Sequence, residues 1–282
     1  MDIRYDLHSH STASDGTLNP TALLERARAA DLDVLALTDH DTLAGIAEAD
    51  IAAQEAGLFL IPGVEISVSW RNMTIHVLGL NVNPGYQPLL DGLVTLQEHR
   101  IWRAEEIARK LEKNGIAGAL AGAKKHCKGK ILSRTHFAHF LVEAGRATSI
   151  RDVFKHFLVR GKPGFVGGEW ASMEDALRWI IEAGGLPVIA HPARYGLTRT
   201  KLERLVDEFR EAGGVGLEVV SGSQSRDETL HMAAVTRTKK MFASCGSDYH
   251  GPEKPWVDLG RLRELPDGCT PIWHADSWPV AA

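Results

Sequence analysis

Imidazoles and carboxylates recur at matching places along this chain. Asp6-Leu7-His8-Ser9-His10 sets two histidines two residues apart, so on an extended segment both face the same side. Asp15 follows in a Ser-Asp-Gly loop. Thr38-Asp39-His40-Asp41, Glu65 after Pro62-Gly63-Val64, His76, His191 after Val188-Ile189-Ala190, and Asp248 with His250 continue the pattern. His8, His10, Asp15, His40, Glu65, His76, His191, Asp248 and His250 are imidazole and carboxylate donors, types that bind divalent metals, with no thiolate among them. One histidine near a strand end is ordinarily a hydrogen-bonded loop residue. Nine such donors at equivalent places are not what scattered structural histidines produce, and the chemistry they indicate is metal-assisted. His99, His126, His139, His156, His231 and His274 read as structural.

These donors need strand ends to hold them. Ile3–Leu7 reads as a strand. Pro20 opens a helix through Ala30, capped by Asn19. Val34–Leu37 is a continuous apolar run, as expected of a strand buried on both faces. A helix from about Leu43 stops at Gly57, and Leu58–Val64 and Thr74–Leu80 read as strands. Glu65 then closes the third strand, and most of the other donors close a strand too. Glu-Ala-Gly ends a helical stretch at 55–57, 182–184 and 211–213, and each time a strand follows. Met241–Ser244 is the last strand in the series. Strand–helix alternation indicates a parallel sheet or barrel, and a βα barrel builds its site at the C-terminal ends of its strands.

The middle of the chain breaks this rhythm. Leu93, Leu96, Ile101, Ala104, Ile107 and Leu111 form a helical stripe ended by Asn114-Gly115, with short helices near 135–144 and 150–158. A fourth Glu-Ala-Gly, at 143–145, leads into no strand. The expected organisation is a scaffold of residues 1–96 and 166–282 carrying a helical insertion, 97–165, with Gly161, Pro163, Gly164, Gly167 and Gly168 as the return hinge. Charge divides the same way. Residues 97–165 hold 15 Lys and Arg against 6 Asp and Glu, whereas the remainder holds 17 against 30, so the net charge of −4 conceals a basic insertion on an acidic scaffold.

The 282 residues suffice for one large domain or two modest ones. Met1-Asp2-Ile3-Arg4-Tyr5-Asp6 lacks the apolar core of a signal peptide, and no apolar run reaches the ~18–20 residues of a membrane helix. Cys127, Cys245 and Cys269 are too few and too scattered for a disulfide framework or a thiolate zinc site. A cytoplasmic protein with no membrane association is expected, and no obligate protein partner is evident.

Asp6-Leu7-His8-Ser9-His10, Thr38-Asp39-His40, Pro62-Gly63-Val64-Glu65, Ala190-His191-Pro192 and Gly246-Ser247-Asp248-Tyr249-His250 resemble the ordered motifs of the polymerase-and-histidinol-phosphatase (PHP) superfamily. The helical insertion and Leu132-Ser133-Arg134-Thr135-His136-Phe137 most resemble the 3′,5′-nucleoside bisphosphate phosphatases that also act as 5′-to-3′ exoribonucleases. The resemblance implies a distorted (β/α)7 barrel with an inserted small helical domain. It implies three divalent ions, manganese first, with iron, zinc or magnesium as alternatives. By motif, His8, His10, Glu65 and Asp248 would hold one ion. Glu65 would bridge to a second, held also by His76 and His191, and Asp15, His40 and His250 would hold the third. Asp6 and Asp39 are expected to orient imidazoles.

Three divalent ions bring six positive charges against three from Asp15, Glu65 and Asp248, a balance that suits a phosphate dianion. The expected reaction is in-line attack on phosphorus by hydroxide held on the metals. Lys124-Lys125-His126-Cys127-Lys128-Gly129-Lys130 is basic and precedes Ser133-Arg134, and a guanidinium fork suits phosphate. The resemblance implies that Ser133 and Arg134, assisted by His136, hold a substrate 5′-phosphate. The expected substrates are nucleoside 3′,5′-bisphosphates and short 5′-phosphorylated RNA. A histidinol phosphate phosphatase and a non-catalytic metal or nucleotide sensor are the alternatives.

Overall fold

The computed structural model describes residues 3–253 and 257–279. Eight strands form one sheet in sequence order: β1 (Tyr5–Asp6), β2 (Val34–Leu37), β3 (Phe59–Trp70), β4 (Met73–Leu80), β5 (Leu186–Ile189), β6 (Gly216–Ser221), β7 (Phe242–Gly246) and β8 (Thr270–Pro271). β1, β2 and β3 pair in parallel, as do β5 to β8. β4 is antiparallel to both its neighbours. The sheet curls until the segment after β1 meets the end of β7. There the Leu7 amide donates to the Cys245 carbonyl at 2.9 Å, and Ser9 bridges Tyr249 in parallel. The result is a mixed α/β barrel with one reversed strand.

That reversal has a local cause. The sequence pattern ends the third strand at Glu65, but β3 runs on to Trp70 and returns at once through Arg71-Asn72 into β4. A hairpin replaces the helical crossover, so β4 must run backwards. Ser67 pairs with His76, which brings His76 to the face that also carries Glu65.

Strand alternation divides the apolar residues between two cores. Val34 and Ala36 of β2 enter the barrel interior with Ile61, Leu78, Leu80, Val188 and Ala190, and Ile272 joins them there. Leu35 and Leu37 face outward into the layer of α1 (Pro20–Ala29), α2 (Ile46–Ala56), α7 (Met173–Glu182), α8 (Arg199–Glu211) and α9 (Arg226–Lys239). Asn19 caps α1, its side chain accepting from the Ala22 amide at 2.8 Å. All four Glu-Ala-Gly copies stop a helix on a left-handed glycine (φ 66°, 66°, 78° and 100° at Gly57, Gly145, Gly184 and Gly213).

α3 (Gln87–Lys113) spans the two parts. Leu89, Leu93 and Leu96 pack on the barrel layer. Ala104, Ile107 and Leu111 pack in a separate cluster with α4 (Ala119–His126), α5 (Arg134–Glu143), α6 (Ile150–Val153) and the π-helical turn Phe154–Leu158. The change at about residue 97 therefore falls inside a helix rather than in a linker. α4 carries Lys124 and Lys125 and has no long apolar stripe to announce it. Arg100 sits at the crossover, 6% exposed, with Nε donating to Asp41 Oδ2 at 2.6 Å and Nη2 to Ser67 Oγ at 2.9 Å. This buried pair ties the helix to the mouth of the barrel. Among the described residues no helix is long and apolar enough to cross a membrane.

Candidate metal centre

The donors converge at one mouth of the barrel. His8 and His10 lie just beyond β1 and face inward, while Ser9 between them turns out and donates to the Ala36 carbonyl at 2.7 Å. The His8 carbonyl accepts from the Asp248 amide, and the His10 amide donates to the Tyr249 carbonyl, both at 2.9 Å. The chain end of β7 is thereby fixed beside that of β1. His40 bridges Glu65 in parallel. His191 and Asp248 take positive φ, 32° and 56°, a backbone cost of roughly 1–3 kcal/mol each that the surrounding structure must sustain. Gly246 leaves room for the site, because a Cβ there would come within 2.2 Å of His8 Cβ and 2.8 Å of Glu218 Oε1.

Three groups of donor atoms emerge: His8, His10, Glu65 and Asp248; His10, Asp15, His40 and His250; and His40, Glu65 and His76. In the first, His8 Nε2 and His10 Nε2 are 3.1 Å apart. Both nitrogens lie 3.1–3.4 Å from Glu65 Oε2 and Asp248 Oδ1. The centre of a tetrahedron with such edges is about 2.0 Å from each corner, a metal–nitrogen or metal–oxygen bond length. Glu65 Oε1 faces His76 Nδ1 at 2.8 Å and His191 Nε2 at 3.0 Å. Asp15 Oδ1 lies 3.4 Å from His250 Nε2 and 3.8 Å from His40 Nε2. His40 thus stands between two groups, its Nδ1 2.9 Å from Glu65 Oε2.

The cage is built for cations. Glu65 Oε2, Asp15 Oδ1 and His40 Nδ1 are buried without a hydrogen-bond partner, a costly arrangement unless something else satisfies them. Burial pushes the Glu65 carboxyl up, but the His40, His76 and His8 rings outweigh it and hold the group well below the usual range. At Asp15 burial is outweighed by His40 and His250, and at Asp248 by Arg194, His250 and His8. All three carboxylates are therefore ionised. Burial takes His10 down to about 3, with His250 adding to the shift, and takes His76 down to about 4. Both rings are neutral, as metal coordination requires. An all-imidazole and carboxylate donor set of this kind fits divalent ions of the manganese, iron or zinc type.

Sequence reasoning missed the residues that hold this cage. Glu218 is fully buried in β6. Its Oε1 lies 3.2 Å from His8 Nδ1 and its Oε2 accepts from the His191 amide at 2.5 Å. One carboxylate thus fixes a ring on β1 and a turn after β5. A glutamate in the apolar run Gly-Leu-Glu-Val-Val was the available signal. Removing such a partner typically costs 10–100-fold in metal affinity or activity. Glu218→Gln is accordingly expected to lower both about 30-fold without unfolding the protein. Titration of manganese into chelator-stripped protein checks this, and wild-type affinity would show that Glu218 does not act on His8. Arg194, three residues after His191, pairs with Asp248 Oδ2 and donates to Ser221 Oγ.

Asp6 and Asp39 touch no imidazole side chain. Asp6 Oδ1 accepts from the amides of Ser247 at 2.8 Å and His8 at 3.4 Å. Asp39 accepts from the Ser11 amide and from the hydroxyls of Ser11 and Ser14. Both pin backbone: their neighbours in the fold are loops, not rings. Ser133 caps α5 and donates its hydroxyl to Asp15 Oδ2 at 2.9 Å. Thr135 Oγ1 donates to the same oxygen at 3.1 Å. His136 Nδ1 accepts from the Ser133 amide, and burial takes this ring down to about 4. Arg134 follows the cap with its guanidinium 5.5 Å from the Phe154 ring. A cavity of about 80 Å³ brings Ser133, Arg134 and Thr135 together with Asp15, His40 and His76.

The PHP domain family matches residues 6–183. A 3′,5′-nucleoside bisphosphate phosphatase of Chromobacterium violaceum is 46% identical over 270 residues, 95% of each chain. The 5′-3′ exoribonuclease Rnm of Escherichia coli K12 is 47% identical over 272 residues, 96% of this chain and 92% of that one. Among solved structures, an amidohydrolase from Chromobacterium violaceum with bound sulfate superposes with a TM-score of 0.93 at 46% identity, covering 96% of this chain and 94% of its own. A candidate metal-dependent phosphoesterase of Bifidobacterium adolescentis superposes with a TM-score of 0.80 at 25% identity, again covering 96% of this chain and 94% of its own.

Proposed function

This chain belongs to the PHP domain family, and on that footing we propose that it is a metal-dependent phosphoesterase that removes the 3′-phosphate from nucleoside 3′,5′-bisphosphates and releases 5′-mononucleotides stepwise from short 5′-phosphorylated RNA. One observation carries the reading: a cage of nine metal-type donors and an arginine at a helix start line a single cleft. The first can act on a phosphate ester while the second holds another phosphate of the same molecule.

We assign His8, His10, Glu65 and Asp248 to one ion, Glu65, His76 and His191 to a second, and Asp15, His40 and His250 to a third. Manganese is the expected metal, with iron, zinc or magnesium as alternatives. When bound, such ions supply Lewis-acid stabilisation of phosphoryl oxygens and a nucleophile at neutral pH. The chain's own residues do the positioning. Glu218 keeps the His8 ring turned to the cage. Ser133 and Thr135 hold Asp15 from the helical side, so the place where a 5′-phosphate would sit is linked directly to the cage. Arg134 would present its fork to that phosphate, with the Ser133-to-His136 cap fixing the start of the helix beneath it. The two activities share this logic: anchor the 5′-phosphate, then hydrolyse at the 3′ oxygen. Residues 97–165 would serve as the recognition unit on the barrel. The three cysteines form no disulfide, which suits a reducing, cytoplasmic setting.

The test is phosphate release with added manganese from adenosine 3′,5′-bisphosphate, adenosine 3′-monophosphate and histidinol phosphate. The bisphosphate is expected to be preferred over the 3′-monophosphate by about 100-fold in kcat/KM. Equal rates on the two adenosine substrates would contradict the 5′ anchor, and preference for histidinol phosphate would replace the substrate class.

A further inference from the structure

The cleft does not end at Arg134. The small cavity over the cage shares Thr74, Arg103, Arg134 and Trp170 with a neighbouring groove of about 860 Å³. The groove lies between the turn of the β3–β4 hairpin, at Arg71 and Asn72, and the segment containing Arg160 and Glu169. At about 80 Å³, the cavity has room for one phosphate group and little beyond it. The groove has room for much more.

Its charge is one-sided. Guanidiniums of Arg71, Arg103, Arg134 and Arg160 line it, against the single carboxylate of Glu169. Arg71 is committed to Glu208 Oε1 at 2.8 Å. Arg103 Nε donates to the Val166 carbonyl at 3.2 Å. Arg160 is exposed, donates through Nη2 to the Asn72 carbonyl at 2.5 Å and lies 5.9 Å from the Phe165 ring centre. Among the described residues neither Arg103 nor Arg160 has a carboxylate partner. Burial, with Arg134 and Arg100 nearby, brings the Arg103 guanidinium down to about 9. Clustered cations of this kind gain from an anion between them.

We propose that the groove is a subsite for a second anionic group beyond the 5′-phosphate, so that the protein accepts nucleoside 3′-phosphates bearing a 5′-diphosphate or 5′-triphosphate. This rests on the reading of Arg134 as the 5′ anchor. A phosphate bound at Arg134 has the donor cage on one side and the groove on the other. A further phosphate joined to it by an anhydride extends towards Arg160. A site closed behind the first phosphate would exclude that group by volume, whereas this one is open there and positively charged. In the reaction, water adds across the bond between phosphorus and the 3′ oxygen. From 3′-phosphoadenosine 5′-diphosphate the products are ADP and inorganic phosphate, with the anhydride intact.

The test compares this diphosphate with adenosine 3′,5′-bisphosphate in the presence of manganese, the products being separated by anion exchange. ADP is the expected product, at a kcat/KM within about threefold of the bisphosphate. Arg160→Ala should lower the value for the diphosphate about tenfold and leave the bisphosphate within about twofold. A diphosphate turned over about 100-fold more slowly than the bisphosphate overturns the proposal. So does equal loss on both substrates in Arg160→Ala, or cleavage at the anhydride. If the fully metallated protein turns over neither substrate, the phosphoesterase reading itself has failed and the subsite falls with it.

Discussion

Glu65→Gln is expected to lower kcat/KM for adenosine 3′,5′-bisphosphate by at least about a thousandfold and to lower metal content with it. The carboxylate is fully buried and faces five imidazoles. Its Oε2 lies 3.4, 3.3 and 2.9 Å from His8, His10 and His40, and its Oε1 lies 2.8 and 3.0 Å from His76 and His191. Glutamine keeps the shape of the side chain and removes the charge. It also replaces one oxygen by an NH₂ group, which donates hydrogen bonds and cannot serve as a ligand. Two of the three assigned ion positions share this one carboxylate, so a single substitution weakens both. Elemental analysis of protein purified without chelators reads the metal loss, and a circular dichroism spectrum checks that the fold survives. Full metal stoichiometry with activity lost would move Glu65 from holding ions to transferring protons.

The donors were legible in the sequence because type and position sufficed: a histidine or carboxylate where a strand ends can point to only one place in a βα barrel. Their grouping was not. His40 stands between Asp15 and Glu65, and His76 reaches Glu65 because β4 runs backwards. Neither fact follows from chain order. Asp6 and Asp39 carry the right charge at the right spacing to orient imidazoles, yet amides and serine hydroxyls take their oxygens first. Glu218 does orient a ring, from the middle of a strand whose apolar neighbours hide it. Arg100 and Asp41 read as surface charges 59 residues apart, and they form a buried pair that sets the angle at which the helices meet the barrel. Each of these depends on a contact between distant segments. The helix boundaries, by contrast, were local: Asn19, Gly57 and Asn114 mark them by cap chemistry alone.

The same distinction governs what Arg134→Ala should do. Its loss is expected to reduce kcat/KM for adenosine 3′,5′-bisphosphate by about 100-fold and to leave adenosine 3′-monophosphate within about twofold, with metal content unchanged. A charge-assisted hydrogen bond is worth about 1.5–3 kcal/mol, or about tenfold or more in kcat/KM, and a two-pronged contact doubles the exponent. Arg134→Lys should recover the charge but not the fork, and fall between the two. The guanidinium is held in a costly place. Burial lowers its pKa, Arg100 lowers it further, and Asp15 only partly compensates. Among the described residues no carboxylate forms an ion pair with it. Arg134→Ala should therefore melt no lower than the parent protein, because the folded chain loses a repulsion rather than a bond. A structural ion pair would behave in the opposite way, lowering the melting temperature and both activities together. Loss of metal in this variant would place Arg134 among the supports of Asp15. A selective loss on the bisphosphate, with stability kept, leaves recognition of the 5′-phosphate as its role.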